Sequence, residues 1–329
     1  MKTIAFFNNK GGVGKTSLVY HLAWMYASRG LPVLAVDLDP QANLTAMFLN
    51  EDQLASLWDD GTRSTIFDAV QPLMDRTGDI APVRVEQLHE SLGLVSGNLA
   101  LSRFEDLLSE NWPKCLDGDR GAFRILTAFH RIMLDAARSM DAELILIDVG
   151  PNLGAINRSA LIAAEQVVIP LAPDLFSLQG LKNLGPSLRD WRKGWEKRLA
   201  DLPKDFGMEV PSGAMQPAGY VVMQHAIRDS RPVKAYQRWM ERIPGTYRDA
   251  VLGDPVRKVP VIEADPYNLA MLKHYRSLMP MAMDARKPMF FLKAADGAIG
   301  AHIEAVHACF EDFHSLAKRI ASQAGIALA

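Results

Sequence analysis

The chain has 329 residues, 49% of them apolar and 22% charged, which is the composition of a folded protein with a sizeable core and excludes a disordered tail protein. No stretch approaches the ~20 unbroken apolar residues of a membrane span, and Cys115 and Cys309 are too few for a disulfide framework and lack zinc spacing, so a reducing cytoplasm is the expected setting. A net charge of −2 conceals a split: residues 1–179 hold 14 basic and 22 acidic side chains, residues 180–300 hold 20 and 13, and such polarity can feed a nucleic-acid surface hidden by a neutral total.

The first forty residues are the clearest. Lys2–Asn8 is a β-branched and aromatic run that enters a glycine turn; it reads as a strand, not as a secretory signal or transit peptide. Thr16–Ser28 carries apolar residues at helical spacing, Gly30 closes that helix, and Pro32–Val36 is a second strand ending in Asp37. This is a βαβ unit. The alternation continues. Leu92–Val95 reads as a strand, Phe123–Met140 as a helix, and Glu143–Ile147 as a buried strand ending in Asp148. Val167–Pro170 follows as a strand, then Leu178–Leu199 as a helix broken at Gly185-Pro186. Tyr220–Met223 is a further strand, Val233–Arg242 a helix and Gly297–Ala321 a closing helix. Residues 201–217 and 244–266 are rich in Pro and Gly and read as loops, and 50–122 as a helical elaboration. The fold class expected is α/β, a mostly parallel sheet with helices on both faces, formed as one domain over 1–329. Ligands in such sheets bind at the carboxyl ends of the strands.

Residues 9–16, Asn-Lys-Gly-Gly-Val-Gly-Lys-Thr, lie directly between the first strand and the first helix. Gly11, Gly12 and Gly14 let backbone N–H groups turn toward an anion, and the helix start adds its positive end. In this pattern Lys15 reaches the β- and γ-phosphates and the Thr16 hydroxyl coordinates Mg²⁺. The phosphate-binding set is therefore Gly11, Gly12, Val13, Gly14, Lys15, Thr16 and Ser17, with Lys10 beside it. The usual glycine at the head of the loop is replaced by Asn9, and a second lysine, Lys10, follows it.

That departure resembles the deviant Walker A motif of the ParA/MinD/Soj family of P-loop ATPases. Val36-Asp37-Leu38-Asp39-Pro40-Gln41-Ala42-Asn43 resembles the family's switch segment V-D-x-D-P-Q-x-N. Leu144–Asp148 with Val149-Gly150-Pro151 resembles its Walker B strand and D-x-P-P, with Gly150 in place of the first proline. Ile169–Leu181 and Leu94–Glu105 look like the flanking family segments; the last third, 201–329, is divergent, and Met223 and Gln224 are its adenine-contact candidates. The resemblance implies ATP and Mg²⁺ as cofactors and an ATPase reaction. It implies that Lys10 reaches a partner subunit's ATP in a homodimer, that Asp39 positions the attacking water, and that Thr16, Asp37 and Asp148 serve the metal.

Within that family the last helix carries a core-packing stripe with a mixed polar face, which argues against a membrane anchor. The cysteines match no cluster site. Partition relatives bind duplex DNA non-specifically through spread lysines and arginines. Arg189, Arg192 and Lys193 share a helical face here, and Arg228, Arg231 and Lys234 are further candidates. The glycine loop starts within ten residues of Met1, which leaves no helix-turn-helix ahead of it. The expectation is a cytoplasmic ATPase, nucleoid-associated when ATP-bound, reset by a ParB-like or cargo-adaptor protein. The alternatives are a ligase or synthetase acting on a small molecule, and a MinD-like regulator of a non-DNA cargo.

Overall fold

Short apolar runs build the sheet of this computed structural model, which describes residues 1–58, 64–225, 227–228, 231–232, 234–255 and 258–328, with side chains outside 224–236. In chain order the strands are β1 (Lys2–Phe6), β2 (Val33–Asp37), β3 (Val85–His89), β4 (Leu92–Val95), β5 (Leu144–Asp148), β6 (Gln166–Leu171), β7 (Gln216–His225), the short β8 (Ile227–Arg228) and β9 (Arg231–Pro232), and β10 (Asn268–Lys273). Eight of them form one sheet in the order β10-β7-β6-β1-β5-β2-β4-β3. Every pairing in it is parallel except β3 with β4. β2, β4 and β5 are buried at every residue, because helices cover both faces of a parallel sheet.

The helices are α1 (Lys15–Ser28), α2 (Asn43–Phe48), α3 (Glu51–Leu57), α4 (Ile66–Met74), α5 (Glu105–Lys114), α6 (Arg120–Leu126), α7 (Ala128–Ser139), α8 (Ala155–Ile162), α9 (Leu175–Ala200), α10 (Lys234–Met240), α11 (Ile243–Thr246), α12 (Leu278–Ala285) and α13 (Ala301–Ala324). On one face Leu18 and Leu22 of α1 pack with Phe313 and Leu316 of α13. On the other, Phe123, Phe129, Leu161 and Trp195 join α6 to α9.

Several elements differ from the sequence reading. The region 50–122 is not purely helical: β3 and β4 form a hairpin at the sheet edge, and β3 (Val-Glu-Gln-Leu-His) is too polar to show as an apolar run. The helix expected over 123–140 is split at Thr127, whose hydroxyl donates to the Phe123 carbonyl at 2.7 Å. Within 244–266, α11 is followed by a π-helical turn over Tyr247–Leu252 where a loop was expected. β10, a sheet-edge strand, was not anticipated at all. Arg248 in the π-helical turn pairs with buried Asp265 at 2.7 and 3.0 Å, and the Tyr220 hydroxyl donates to the same carboxylate at 2.7 Å. This fully bonded charge pair ties β7 to the segment entering β10.

The expected break at Gly185-Pro186 does not occur: α9 runs unbroken for 26 residues. Gly185 instead permits a close approach, because a Cβ there would overlap the Ala250 carbonyl. Neither backbone can yield without moving a helix. Gly185→Ala is therefore expected to cost about 2–3 kcal/mol of unfolding free energy through overpacking, read as a lower urea midpoint at unchanged slope. A midpoint equal to wild type would show that α9 does not depend on this contact.

Candidate nucleotide site

The site forms where three parallel strands end together. Register places Asp148 opposite Phe6 on β1 and opposite Asp37 on β2, so the two carboxylates are neighbours at the sheet's carboxyl edge. The glycine loop leaves β1 at that same edge. Gly12 and Gly14 have φ of 71° and 83°, left-handed values that side-chain-bearing residues resist. Gly14 caps α1 without any side-chain acceptor, so the first N–H groups of that helix are left to face an anion. A Cβ on Gly14 would come within 3.0 Å of the Met223 side chain, which closes the loop from behind.

Four charges crowd this corner. Asp37, fully buried, accepts the Thr45 N–H and hydroxyl at 2.8 and 2.7 Å on one oxygen and the Asp39 N–H at 3.2 Å on the other. Gly97 donates its N–H to the Thr45 hydroxyl at 2.8 Å, which fixes that side chain. Burial nevertheless pushes the Asp37 carboxyl up to about 7, against the lowering effect of the Thr45 bonds. Asp148 is also fully buried; neither of its oxygens makes a hydrogen bond of ordinary length and angle, and the Thr16 hydroxyl is the one side-chain donor that acts on it. Burial, then the neighbouring Asp37 charge, holds its proton well above the usual carboxylate range. Lys15 is 7% exposed; burial lowers its ammonium while Asp148 and Asp39 pull it back up. Asp39 accepts the Gln41 N–H at 3.0 Å, and a Cβ on Gly150 would crowd its carboxylate at 3.2 Å.

Once its three carboxyls ionise, this buried corner with a single ammonium is short of positive charge, and the Asp148 oxygens, met only by the Thr16 hydroxyl, are acceptors of the kind a hard divalent cation takes. The donor set fits Mg²⁺. Among the described residues no group of three or more His, Cys, Asp or Glu side chains is arranged to hold an ion alone, so an ion here would draw other ligands from phosphate and water.

Beyond the loop a cavity of about 650 Å³ runs from Gly11, Gly12 and Lys15 past Asp39 and Gln41 to α12. Its far part is apolar, with Tyr20, Ala46, Met47, Met279 and Met283, and ends at Arg286 and Lys287. Arg286 is tied to the Leu49 carbonyl at 2.7 Å and Lys287 to Asp296 at 2.7 and 2.9 Å. Sequence reasoning missed this wall; the run Leu278-Met-Pro-Met-Ala-Met-Asp-Ala-Arg-Lys287 was its only signal. Met223 is buried behind Gly14 and does not line the cavity, and the Gln224 side chain lies outside those described. His21, buried beneath the cavity, bonds the Ser17 carbonyl through Nδ1 at 2.7 Å and accepts the Met289 N–H through Nε2 at 3.1 Å. Burial depresses it to about 4, so it stays neutral and joins α1 to the chain after α12.

The remaining sequence candidates are distributed differently. Lys10 pairs with Asp174, outside the cavity. Arg189 donates to the Ala250 and Val251 carbonyls, and Arg192 to those of Ala214 and Met215 at 2.8 and 2.6 Å. These two arginines fasten α9 to its neighbours, whereas Lys193 is exposed. The expected stripe of three free cations is thus one lysine flanked by two structural arginines. Arg228, Arg231 and Lys234 lie outside the residues whose side chains are described.

The family described as AAA domain matches residues 1–200. Protein IncC of Escherichia coli is 33% identical over 193 residues, 59% of this chain and 47% of that protein. The chromosome-partitioning ATPase Soj of Thermus thermophilus is 30% identical over 199 residues, 60% of this chain and 66% of Soj. The matches thus span less than two thirds of either relative. A crystal structure of a Corynebacterium diphtheriae protein shares the fold with a TM-score of 0.73 at 24% identity, over 98% of both chains.

The buried carboxylates carry a pH signature. Folded Asp37 keeps its proton to about pH 7, whereas an unfolded Asp loses it near 4. Folding therefore binds a proton between these values, and stability without ligands falls as pH rises through that window. Asp37→Asn keeps the shape and an acceptor for Thr45. It is expected to raise thermal stability at pH 8, by on the order of 2–4 kcal/mol, and to do little at pH 4. Melting curves without nucleotide or divalent ions test this; an equal gain at both pH values would place the cost of Asp37 elsewhere.

Proposed function

Because this chain belongs to the ParA/MinD family of P-loop ATPases, we propose that it is an ATP-driven switch, folded as one unit, that pairs with a second copy of itself, binds duplex DNA without sequence preference and positions a DNA or protein cargo. The observation that carries this reading is the meeting of Lys15, Asp37, Asp39 and Asp148 at the mouth of the glycine loop. Phosphoryl transfer asks a protein mainly for positioning and charge neutralisation, and this corner offers both.

Backbone N–H groups of Gly11 to Gly14 and the start of α1 cradle the phosphates, and Lys15 neutralises the β- and γ-oxygens. Thr16 and Asp148 would hold Mg²⁺, while Asp37 anchors the switch segment through Thr45. When bound, the ion supplies further neutralisation of phosphate oxygens. Asp39 stands nearer the cavity than Asp37 does and accepts a hydrogen bond from the attacking water, orienting it toward the γ-phosphate. Lys10 reaches the nucleotide of the second subunit, so ATP joins the two copies and hydrolysis releases them. A ParB-like or adaptor partner sets the hydrolysis rate. The apolar part of the cavity, with Met279 and Met283, takes the base.

For DNA, the support is the excess of basic residues over 180–300, exposed Lys193 and Lys197 on α9, and the chromosome-partitioning role in the name of Soj. Phosphate neutralisation requires charge more than a reading helix. Among the described residues no helix is long and apolar enough to cross a membrane, and the mixed polar face of α13 lacks the basic character of a membrane-surface helix.

Two measurements test the reading. Wild type should be retained on a random-sequence duplex with ATP and Mg²⁺ only, with retention falling steeply from 50 to 200 mM salt. The double substitution Lys193→Glu, Lys197→Glu should weaken retention about tenfold or more and leave nucleotide binding intact. Lys10→Ala should bind ATP yet fail to form the dimer in light scattering. Absence of DNA retention in every nucleotide state would leave a regulator of a non-DNA cargo or a small-molecule enzyme. Full dimerisation of Lys10→Ala would remove the switch itself.

A further inference from the structure

The segment from Asn8 to Lys10, which opens the glycine loop, is fastened at three points, one on β6 and two at the start of α9. The Asn8 side chain donates to the Pro170 carbonyl at 2.6 Å. Asn9 lies against Gly180, where a Cβ would come within 2.9 Å of its side-chain oxygen. Lys10 forms an ion pair with Asp174 of its own subunit, and both side chains are about one-third exposed. Asp174 does two jobs at once. One oxygen holds the Lys10 ammonium; the other accepts the Ser177 N–H at 2.8 Å and caps α9. Beside the pair, Leu175 and Phe176 are 52% and 73% exposed, and the Phe176 ring centroid lies 5.9 Å from the Lys10 Nζ.

We propose that Asp174 is a latch within the subunit: it holds Lys10 in cis and releases it only to the phosphates of a second, ATP-loaded copy. This deepens the switch reading above and rests on its assignment of Lys10 to the partner's nucleotide. The physical case is a competition for one ammonium. In the single subunit Lys10 faces one carboxylate, which it shares with a helix cap. In the pair it faces a triphosphate of greater charge, closed off from water by the second subunit. The exchange is unfavourable until that second subunit arrives, so the latch raises the protein concentration at which dimers form. It also keeps ATP binding and dimer formation as separate events. Once Lys10 departs, Asp174 still has the Ser177 N–H, so α9 does not fray. The exposed Leu175 and Phe176, beside Lys10, are apolar surface that a copy reached by Lys10 would cover.

Asp174→Asn and Asp174→Ser both remove the charge and retain a good helix cap. Each subunit gives up one pair on dimerisation, so the effect enters twice. A partly exposed pair worth roughly two- to fivefold then becomes roughly a four- to twenty-fivefold lower midpoint concentration for the dimer. The experiment is sedimentation velocity across a concentration series, with a non-hydrolysable ATP analogue and Mg²⁺. It compares wild type, both Asp174 variants, Lys10→Ala and the Lys10→Ala, Asp174→Asn double variant. Tighter dimers in both Asp174 variants, and a double variant no tighter than Lys10→Ala, would support the latch. Unchanged or weaker dimers in the Asp174 variants, with wild type dimerising, would overturn it and leave the switch reading standing. A wild type that stays monomeric with every nucleotide would remove both together.

Discussion

Everything at the carboxyl edge of this sheet follows from placing carboxylates where water cannot reach them. Asp37 and Asp148 end adjacent strands in register and are both fully buried; Asp37 accepts three well-formed hydrogen bonds, whereas Asp148 has only the Thr16 hydroxyl acting on it. Burying a charge without a partner is costly enough that the group keeps its proton instead. A glycine loop with Lys15 at its end and a helix start above it is the answer that sheet topology permits. The carboxylate corner is thus prepared for a cation, and the glycine loop beside it for an anion, so the two are accommodated together.

The same economy governs the surroundings. Thr45 bonds Asp37 twice and is itself held by Gly97, so the switch segment after β2 is tied directly to a buried carboxylate. His21 remains neutral and links the first helix to Met289, near the end of the chain. Asn8 ties the start of the loop to β6, and Asn9 and Lys10 hold it against α9. Three short runs of bonded or packed groups thus connect this edge of the sheet to the switch segment, to the chain after α12 and to α9.

Much of this was legible from residues alone. The strand–loop–helix arrangement, the aspartates ending β2 and β5, and the parallel sheet all follow from local spacing, because buried parallel strands read as unbroken apolar runs. What escaped were elements defined by distant partners. β3 is polar and exists because β4 offers an edge; β10 pairs with β7 from fifty residues away. Gly185-Pro186 reads as a helix break, yet the glycine is there for Ala250 and the helix continues. Arg189 and Arg192 look like free charges on a helical wheel. Their partners are carbonyls of segments that no local pattern places nearby. The apolar cavity wall at Met279 and Met283 was hidden for the same reason.

That wall has an evolutionary consequence. Every residue proposed to meet phosphate or metal lies before residue 150, inside the stretch matched by the family, whereas α12 and Arg286 come from beyond residue 200. The two ends of the pocket are thus built from separate stretches of chain. Insertions, deletions or recombination in the last third can reshape what the pocket admits while the ancestral chemistry at the strand ends stays untouched.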